Sequence, residues 1–336
     1  MKKTILSISI AISCAYASDG LLLQEAKQNF APLPKTFPSA QYTMTPEKIR
    51  LGKMLFHEKR VSIDGTTSCV KCHPFSYYGA DNLEKARGNF GKLNPRNAPT
   101  VLNAAGQITQ HWRGDRKDVE DQAKKALLGK ASFGAPSYEW VEKRLGSIPQ
   151  YQVLFQKAFP NDKNPISVDN YAEAIGAWER TLSTPSRFDE FLEGRSNALT
   201  QEEKAGLKTF IKTGCASCHS GALLGGTMNQ KFGMVAPYWE YTKSKKIDEG
   251  RYNVTKKEED KYVFKVPQLR NVAMTSPYFH DGSVTSLKEA VKIMAKVQLG
   301  VDLSQEETQS IYLFLQSLTG KLSQDIVTVP ILPETN

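Results

Sequence analysis

The sequence carries the pattern Cys-x-x-Cys-His twice, as Cys69-Val-Lys-Cys72-His73 and as Cys215-Ala-Ser-Cys218-His219. No other feature narrows the fold so far. Two thiols one helical turn apart can reach the two vinyl groups of a haem, and the histidine that follows at once can reach its iron. A zinc knuckle would gather four ligands into one cluster, and a thioredoxin-like redox pair would follow a strand. Neither pattern is met. The motifs use four of the five cysteines, leaving Cys14. Two covalently attached haem c groups are the expected cofactors, on Cys69/Cys72 and on Cys215/Cys218.

Such attachment takes place outside the cytoplasm, and residues 1–17 read as an export signal. Lys2 and Lys3 form a positive start, Ile5 to Ile12 a short apolar run, and Ala15-Tyr16-Ala17 a small-x-small cleavage site. Cys14, after Ala-Ile-Ser, is a weaker rival as a lipoprotein cleavage point. The apolar run is too short to span a bilayer, and no later stretch approaches the ~20 apolar residues a spanning helix needs. The expected location is the periplasm. The net charge of +9 allows steering of an acidic partner. It does not imply nucleic acid, because no basic run is interleaved with aromatics. The clusters Lys243-Ser-Lys245-Lys246 and Lys256-Lys257 are short, flanked by acids, and read as solvated loops.

The chain repeats itself loosely. Arg50-Leu-Gly-Lys-Met-Leu-Phe56 before the first motif echoes Gly206-Leu-Lys-Thr-Phe210 before the second. Each is an amphipathic helix with Gly followed by Phe four residues on. The motifs lie about one domain length apart. The spacing predicts helices over Pro46–Phe56, capped by Thr45, over Val168–Leu182, over Thr200–Thr213 behind a Thr-Gln-Glu-Glu capping box, over Ser286–Val297 and over Ser304–Leu318. No run of alternating strands is present. The fold class expected is all-α: two cytochrome c-like domains, residues 18–184 and 185–320, with a boundary near Ser183–Arg187. Residues 321–336 read as an extended tail without helix. Trp140 and Trp178 read as core, Trp239 as loop, and His57 as surface.

What fills the sixth position of each iron decides its use, because methionine raises the potential and an open position leaves the iron reactive. His57, His111, His280 and the methionines are the candidates, and residue types alone do not choose among them.

From about Leu51 to Leu318 the chain resembles the bacterial di-haem cytochrome c peroxidases. The residues that carry the resemblance are Gly52-Lys-Met-Leu-Phe56, both haem motifs, Pro95-Arg-Asn-Ala-Pro-Thr-Val-Leu-Asn103, Trp112, Gln122-Ala123, Tyr262-Val-Phe-Lys-Val-Pro-Gln-Leu-Arg-Asn-Val-Ala273, Pro277-Tyr-Phe-His-Asp-Gly282 and Met294-Ala-Lys-Val-Gln-Leu-Gly300. The resemblance implies reduction of hydrogen peroxide to water by a di-haem enzyme. The haem at Cys215/Cys218 would be the electron-transfer centre, with His219 and Met294 on its iron. The haem at Cys69/Cys72, with His73, would be the peroxidatic centre. Trp112 would relay electrons between them, and Gln122 would line the peroxide site. Asn97 and the carbonyls of Thr275 and Pro277 would hold a calcium ion between the domains, oxygen ligands that suit calcium. A small c-type cytochrome or copper protein would be the donor, and a homodimer is common among such enzymes. His280 would lie behind the electron-transfer haem without ligating it.

Two departures stand out. The family places a histidine in the loop before Pro95-Arg-Asn97, where it caps the resting peroxidatic haem, but Gly79 to Asn94 contains none. The family also has a glutamate ten residues after the pocket glutamine, and here that position is Ser132. An open peroxidatic haem in every redox state is one consequence. A substitute distal role for His111 is another. The same departures keep two rivals in view: a di-haem oxidase of protein side chains, like the enzyme that forms tryptophan tryptophylquinone, and a non-catalytic electron carrier or peroxide sensor. Met294 argues against the oxidase, which has tyrosine as that ligand.

Overall fold

The structure, a computed structural model, describes residues 19–334. The export signal lies outside the described residues. The chain is mostly helical, with one antiparallel ribbon of two three-residue strands, β1 (Asn229–Lys231) and β2 (Val263–Lys265), in which Gln230 faces Phe264.

Seven helices position the sites: α1 (19–29), α2 (Pro46–His57), α3 (Val119–Leu127), α4 (Val168–Glu179), α5 (Gln201–Lys212), α6 (Leu287–Met294) and α7 (Gln305–Ser317). Their starts follow from local chemistry. The Thr45 hydroxyl accepts from Lys48 N at 3.3 Å, and Pro46 occupies the first turn of α2, where an N–H would go unpaired. Thr200 with Glu203 and Ser304 with Glu307 form reciprocal capping boxes on α5 and α7.

The repeated Gly-x-x-x-Phe has a packing cause. A Cβ on Gly52 would overlap the Ala174 carbonyl oxygen and press on Trp178; a Cβ on Gly206 would overlap the Ser310 carbonyl and press on Phe314. Each glycine therefore lets two helices approach backbone to backbone, α2 on α4 and α5 on α7. Trp178 and Phe314 are fully buried at the two crossings, each large apolar side chain contributing about 1.5–3 kcal/mol.

Two cores result. The first gathers Leu51, Leu55, Phe56, Tyr151, Phe155, Tyr171, Ile175 and Trp178; the second gathers Phe188, Phe191, Leu207, Phe210, Ile311 and Phe314. Buried polar groups join them: the Asn103 amide donates to Thr184 Oγ1 at 2.9 Å, as does the Asn271 amide, and Gln268 donates to the Leu102 carbonyl at 2.7 Å.

Several expectations need correcting. Leu22, Ala26 and Phe30 pack in the second core, so α1 sits with residues of the 185–320 half and not with the rest of residues 18–184. The Leu33 N–H and the Arg270 guanidinium both bond the buried Asp189 carboxylate, at 2.7 and 2.6 Å, which ties the segment after α1 to that half. The tail is not wholly extended: Gln324–Val327 forms a short helix capped by Ser323, and its Ile326 enters the first core. His57 is buried rather than at the surface, because α2 ends against the core, where the ring meets Phe56 edge-on and Nδ1 lies 2.9 Å from the Lys53 carbonyl. Helix α4 stops at Glu179 instead of Leu182, and α6 ends at Met294, where the backbone widens into a π-turn, Ala295–Leu299. Trp140 only edges the first core, under the Arg144 guanidinium, and Trp239 lies in the short helix Tyr238–Thr242.

Candidate haem-binding site

Both motifs fold alike. Cys69–Cys72 is a single helical turn and Cys215–Ser217 a 3-10 turn. In each, the histidine N–H donates to the first cysteine's carbonyl at 3.0 Å (His73 to Cys69, His219 to Cys215). The chain then loops back so that a carbonyl holds the ring: His73 Nδ1 lies 3.0 Å from Gly79 O, and His219 Nδ1 lies 3.1 Å from Leu224 O. That fixes the tautomer with Nε2 bare, the arrangement a ligating imidazole needs. Burial pulls both imidazoles below the usual range, His73 to about 4, so both are neutral and able to bind a metal.

The four thiols form no disulfide. Burial pushes Cys72 and Cys215 up to about 11 and Cys69 well upward. No cluster of metal-binding His, Cys, Asp and Glu side chains occurs among the described residues.

A cavity of about 440 Å³ opens over the second motif. Cys215, Cys218 and His219 are on its wall, and Met294, at the switch from α-helix to π-turn, is on it too. π-turns of this kind re-aim a side chain at functional sites. The walls are otherwise mostly apolar, including Phe210, Leu287, Ile311 and Leu315. The residues present fit a c-type haem: two thiols, a neutral imidazole with its outer nitrogen bare, a thioether and an apolar enclosure.

The same cavity reaches Trp112, His111, Asn97, Thr275 and Pro277, so five residues picked from distant parts of the sequence come together here. The Trp112 indole donates to Asn97 O at 3.0 Å, and the Trp112 carbonyl accepts from Lys265 N at 2.8 Å. His280, almost fully buried, meets Trp112 edge-on at 6.4 Å and Phe264 face-on at 4.4 Å. His111 has a left-handed backbone (φ 65°), and its Nδ1 lies 3.2 Å from Asp115, which also pairs Arg113 and Arg116. Gln122, His73, Cys69 and Cys72 are not on this wall.

The first motif has its own surroundings. Gln122 is half-buried on α3. The loop without histidine is pinned: Asn89 donates through Nδ2 to the carbonyls of Lys130 and Ser132, both at 2.9 Å, and Asn94 Nδ2 donates to Ala131 O at 2.8 Å. From the other side Asp64 accepts from Phe90 N at 2.7 Å.

Sequence reasoning missed two charged residues. Glu179 is buried on the last turn of α4. Burial, then the charge of Glu120, pushes its carboxyl up to about 8, and its own charge acts on Cys69. Lys265 is 5% exposed, between Phe264 and Val266. For Lys265 the signal was a lone charge inside an apolar run; Glu179, next to Arg180, gave none.

The family profile described as di-haem cytochrome c peroxidase matches residues 46–197. The chain is 41% identical to the cytochrome c551 peroxidase of Pseudomonas aeruginosa, over 97% of this chain and 94% of that protein. It is 38% identical to the cytochrome c551 peroxidase of Nitrosomonas europaea, over 99% and 95%. Among solved structures, a MauG-like protein associated with microbial copper homeostasis superposes with a TM-score of 0.79 at 26% identity, over 89% of this chain and 97% of that one.

Proposed function

This chain belongs to the di-haem cytochrome c peroxidase family, and we propose that it reduces hydrogen peroxide to two waters in the periplasm. In this reading two protons and two electrons are consumed per peroxide, and the electrons come singly from a small c-type cytochrome or copper protein. The chain is an oxidoreductase of the peroxidase class. When bound, the two haem c groups supply electron acceptance at one iron and reduction of the O–O bond at the other.

The chain's residues divide the remaining work. His219 and Met294, which share the wall of the cleft with Cys215 and Cys218, would hold the iron of that centre, and a thioether there would raise its potential. His73, its Nδ1 held by Gly79 O, would hold the other iron. Trp112 relays electrons from a position fixed at both its indole N–H and its carbonyl. Asn97, whose amide nitrogen is taken by Leu83 O so that its amide oxygen is left over, would hold a calcium ion together with the carbonyls of Thr275 and Pro277, which line the same cavity. Gln122 orients peroxide. His111, held by Asp115, positions the turn that carries Trp112.

Proton delivery is where this chain departs. A carboxyl can give up a proton near neutral pH and a serine hydroxyl cannot, so Ser132 serves only as a relay through water. The pinning of residues 88–94 by Asn89, Asn94 and Asp64 supports a peroxidatic site that is open in the oxidised state as well as after reduction. A cleft that combines Cys215, Cys218, His219 and Met294 with Trp112 is the single observation that carries the reading.

Stopped-flow mixing of the reduced protein with hydrogen peroxide and a reduced donor cytochrome tests it. Rapid donor oxidation supports the peroxidase. Absence of donor oxidation makes the chain a carrier or sensor and overturns the reading. Electron paramagnetic resonance of the oxidised protein tests the open site: a high-spin signal from one of the two haems is expected, and two low-spin signals refute it.

A further inference from the structure

Lys265 is the feature of the cleft that its other walls leave unexplained. Its side chain lines the cavity and is almost fully buried. Its ammonium donates to the Gln107 amide oxygen, a neutral acceptor. The cavity wall contains no Asp or Glu. Of its other two cations, Arg270 is paired with Asp189 and Lys231 is exposed.

A buried ammonium without a counter-charge costs several kcal/mol. Burial alone pulls Lys265 down to about 7. A tyrosine or methionine would fill the same space without that penalty. An anion that arrives with whatever fills the cleft removes the penalty, since an opposite charge at close range restores the cationic form. The haem expected on Cys215 and Cys218 has two carboxylates, its propionates.

We propose that Lys265, with Gln107 beside it, binds a propionate of the Cys215/Cys218 haem and raises the potential of that centre. The inference rests on the haem reading of the second motif. A cation held against the propionate cancels a negative charge near the iron, and so favours the reduced state. The Lys265 N–H also holds the Trp112 carbonyl at 2.8 Å. The residue that anchors the carboxylate therefore sits directly beside the relay.

The test uses the holoprotein, with redox titrations of both haems followed by absorbance over a range of pH. Lys265→Met keeps length and removes charge; Lys265→Arg keeps charge. Lys265→Met is expected to retain two haems. It is expected to shift the oxidised-to-reduced ratio of the Cys215/Cys218 haem at least tenfold toward oxidised, about 59 mV for one electron, and to make that potential more pH-dependent. Lys265→Arg is expected to restore most of it, and the Cys69/Cys72 haem to move far less. Wild-type potential in Lys265→Met, or equal shifts in Met and Arg variants, would overturn the proposal. Loss of haem from Cys215/Cys218 in the unaltered protein would instead sink the underlying reading. If Lys265→Met does not fold, infrared spectra of the wild type carrying isotope-labelled propionates decide. One propionate should stay ionised as pH falls through the ordinary carboxylate range, and two freely titrating propionates refute the proposal.

Discussion

The indole N–H of Trp112 donates to the main-chain carbonyl of Asn97 at 3.0 Å. Asn97 in turn donates its N–H to His280 O at 2.9 Å and its amide to Leu83 O at 2.8 Å. One residue thus fixes the Trp112 ring to the loop that follows the first motif and to the Pro277–Gly282 segment. Trp112→Phe keeps an aromatic ring and removes the donor. We expect both haems to remain attached, a stability loss of about 1 kcal/mol, and slower electron transfer between the haems. Flash-initiated reduction of one centre, with the other monitored, checks this. An unchanged transfer rate would remove Trp112 from the path.

Met294→Ala takes the thioether from the wall of the cavity that also carries His219. The midpoint potential of the Cys215/Cys218 haem should fall, and that of the Cys69/Cys72 haem should not. Spectroelectrochemical titration of the variant measures both. A potential that stays put means another residue ligates the iron.

Gly206→Ala and Gly52→Ala drive a methyl into the backbone carbonyls of Ser310 and Ala174. Neither carbonyl can rotate away from a helix, so each variant should lose about 1–3 kcal/mol or more. Chemical denaturation gives the loss directly. A wild-type midpoint in either variant would show that the crossing is looser than the packing implies.

Glu179 gives a pH dependence with a definite sign. Burial first, and Glu120 second, push its carboxyl up to about 8, against roughly 4.3 in an unfolded chain. Between these values the folded state keeps a proton that the unfolded state releases. Stability from this group is present below about pH 4 and lost as pH rises through about 8. Glu179→Gln should flatten that decline and melt higher than the wild type at alkaline pH. Melting temperatures measured across the range check it, and parallel curves for the two proteins would show that Glu179 is ionised in the fold.

Ser132→Glu restores a group able to donate a proton. If the open site is limited by protons, peroxide turnover with an excess of reduced donor should rise, with its pH profile following the new carboxyl. Turnover that falls or stays flat would mean that protons reach the site by another route.

Much of this was legible in the residues because the chemistry is local. A Cys-x-x-Cys-His motif defines its own turn, and Thr200 with Glu203 announces a helix start three residues away. Gly52 and Gly206 were legible as a repeat, but not their partners Ala174 and Ser310, more than 100 residues on, because a crossing point depends on tertiary approach. His57 looked exposed since it ends an amphipathic helix; its burial depends on the angle at which that helix meets the core. Lys265 and Glu179 were hidden for the opposite reason: Lys265 sits in an apolar stretch and Glu179 beside Arg180 at a helix end, and the cost of burying each charge becomes visible only when the surroundings are in place.

The termini cross over. Leu22, Ala26 and Phe30 near the beginning complete the second core, and Ile326 near the end completes the first. A cut at Ser183–Arg187 therefore cannot release two autonomous modules. Each fragment would take with it a piece that seals its neighbour and leave its own apolar seam bare. Expressed separately, the halves should aggregate or find each other again, whereas the intact chain should melt in one cooperative step. Each terminal segment thus makes one half the custodian of the other's closure.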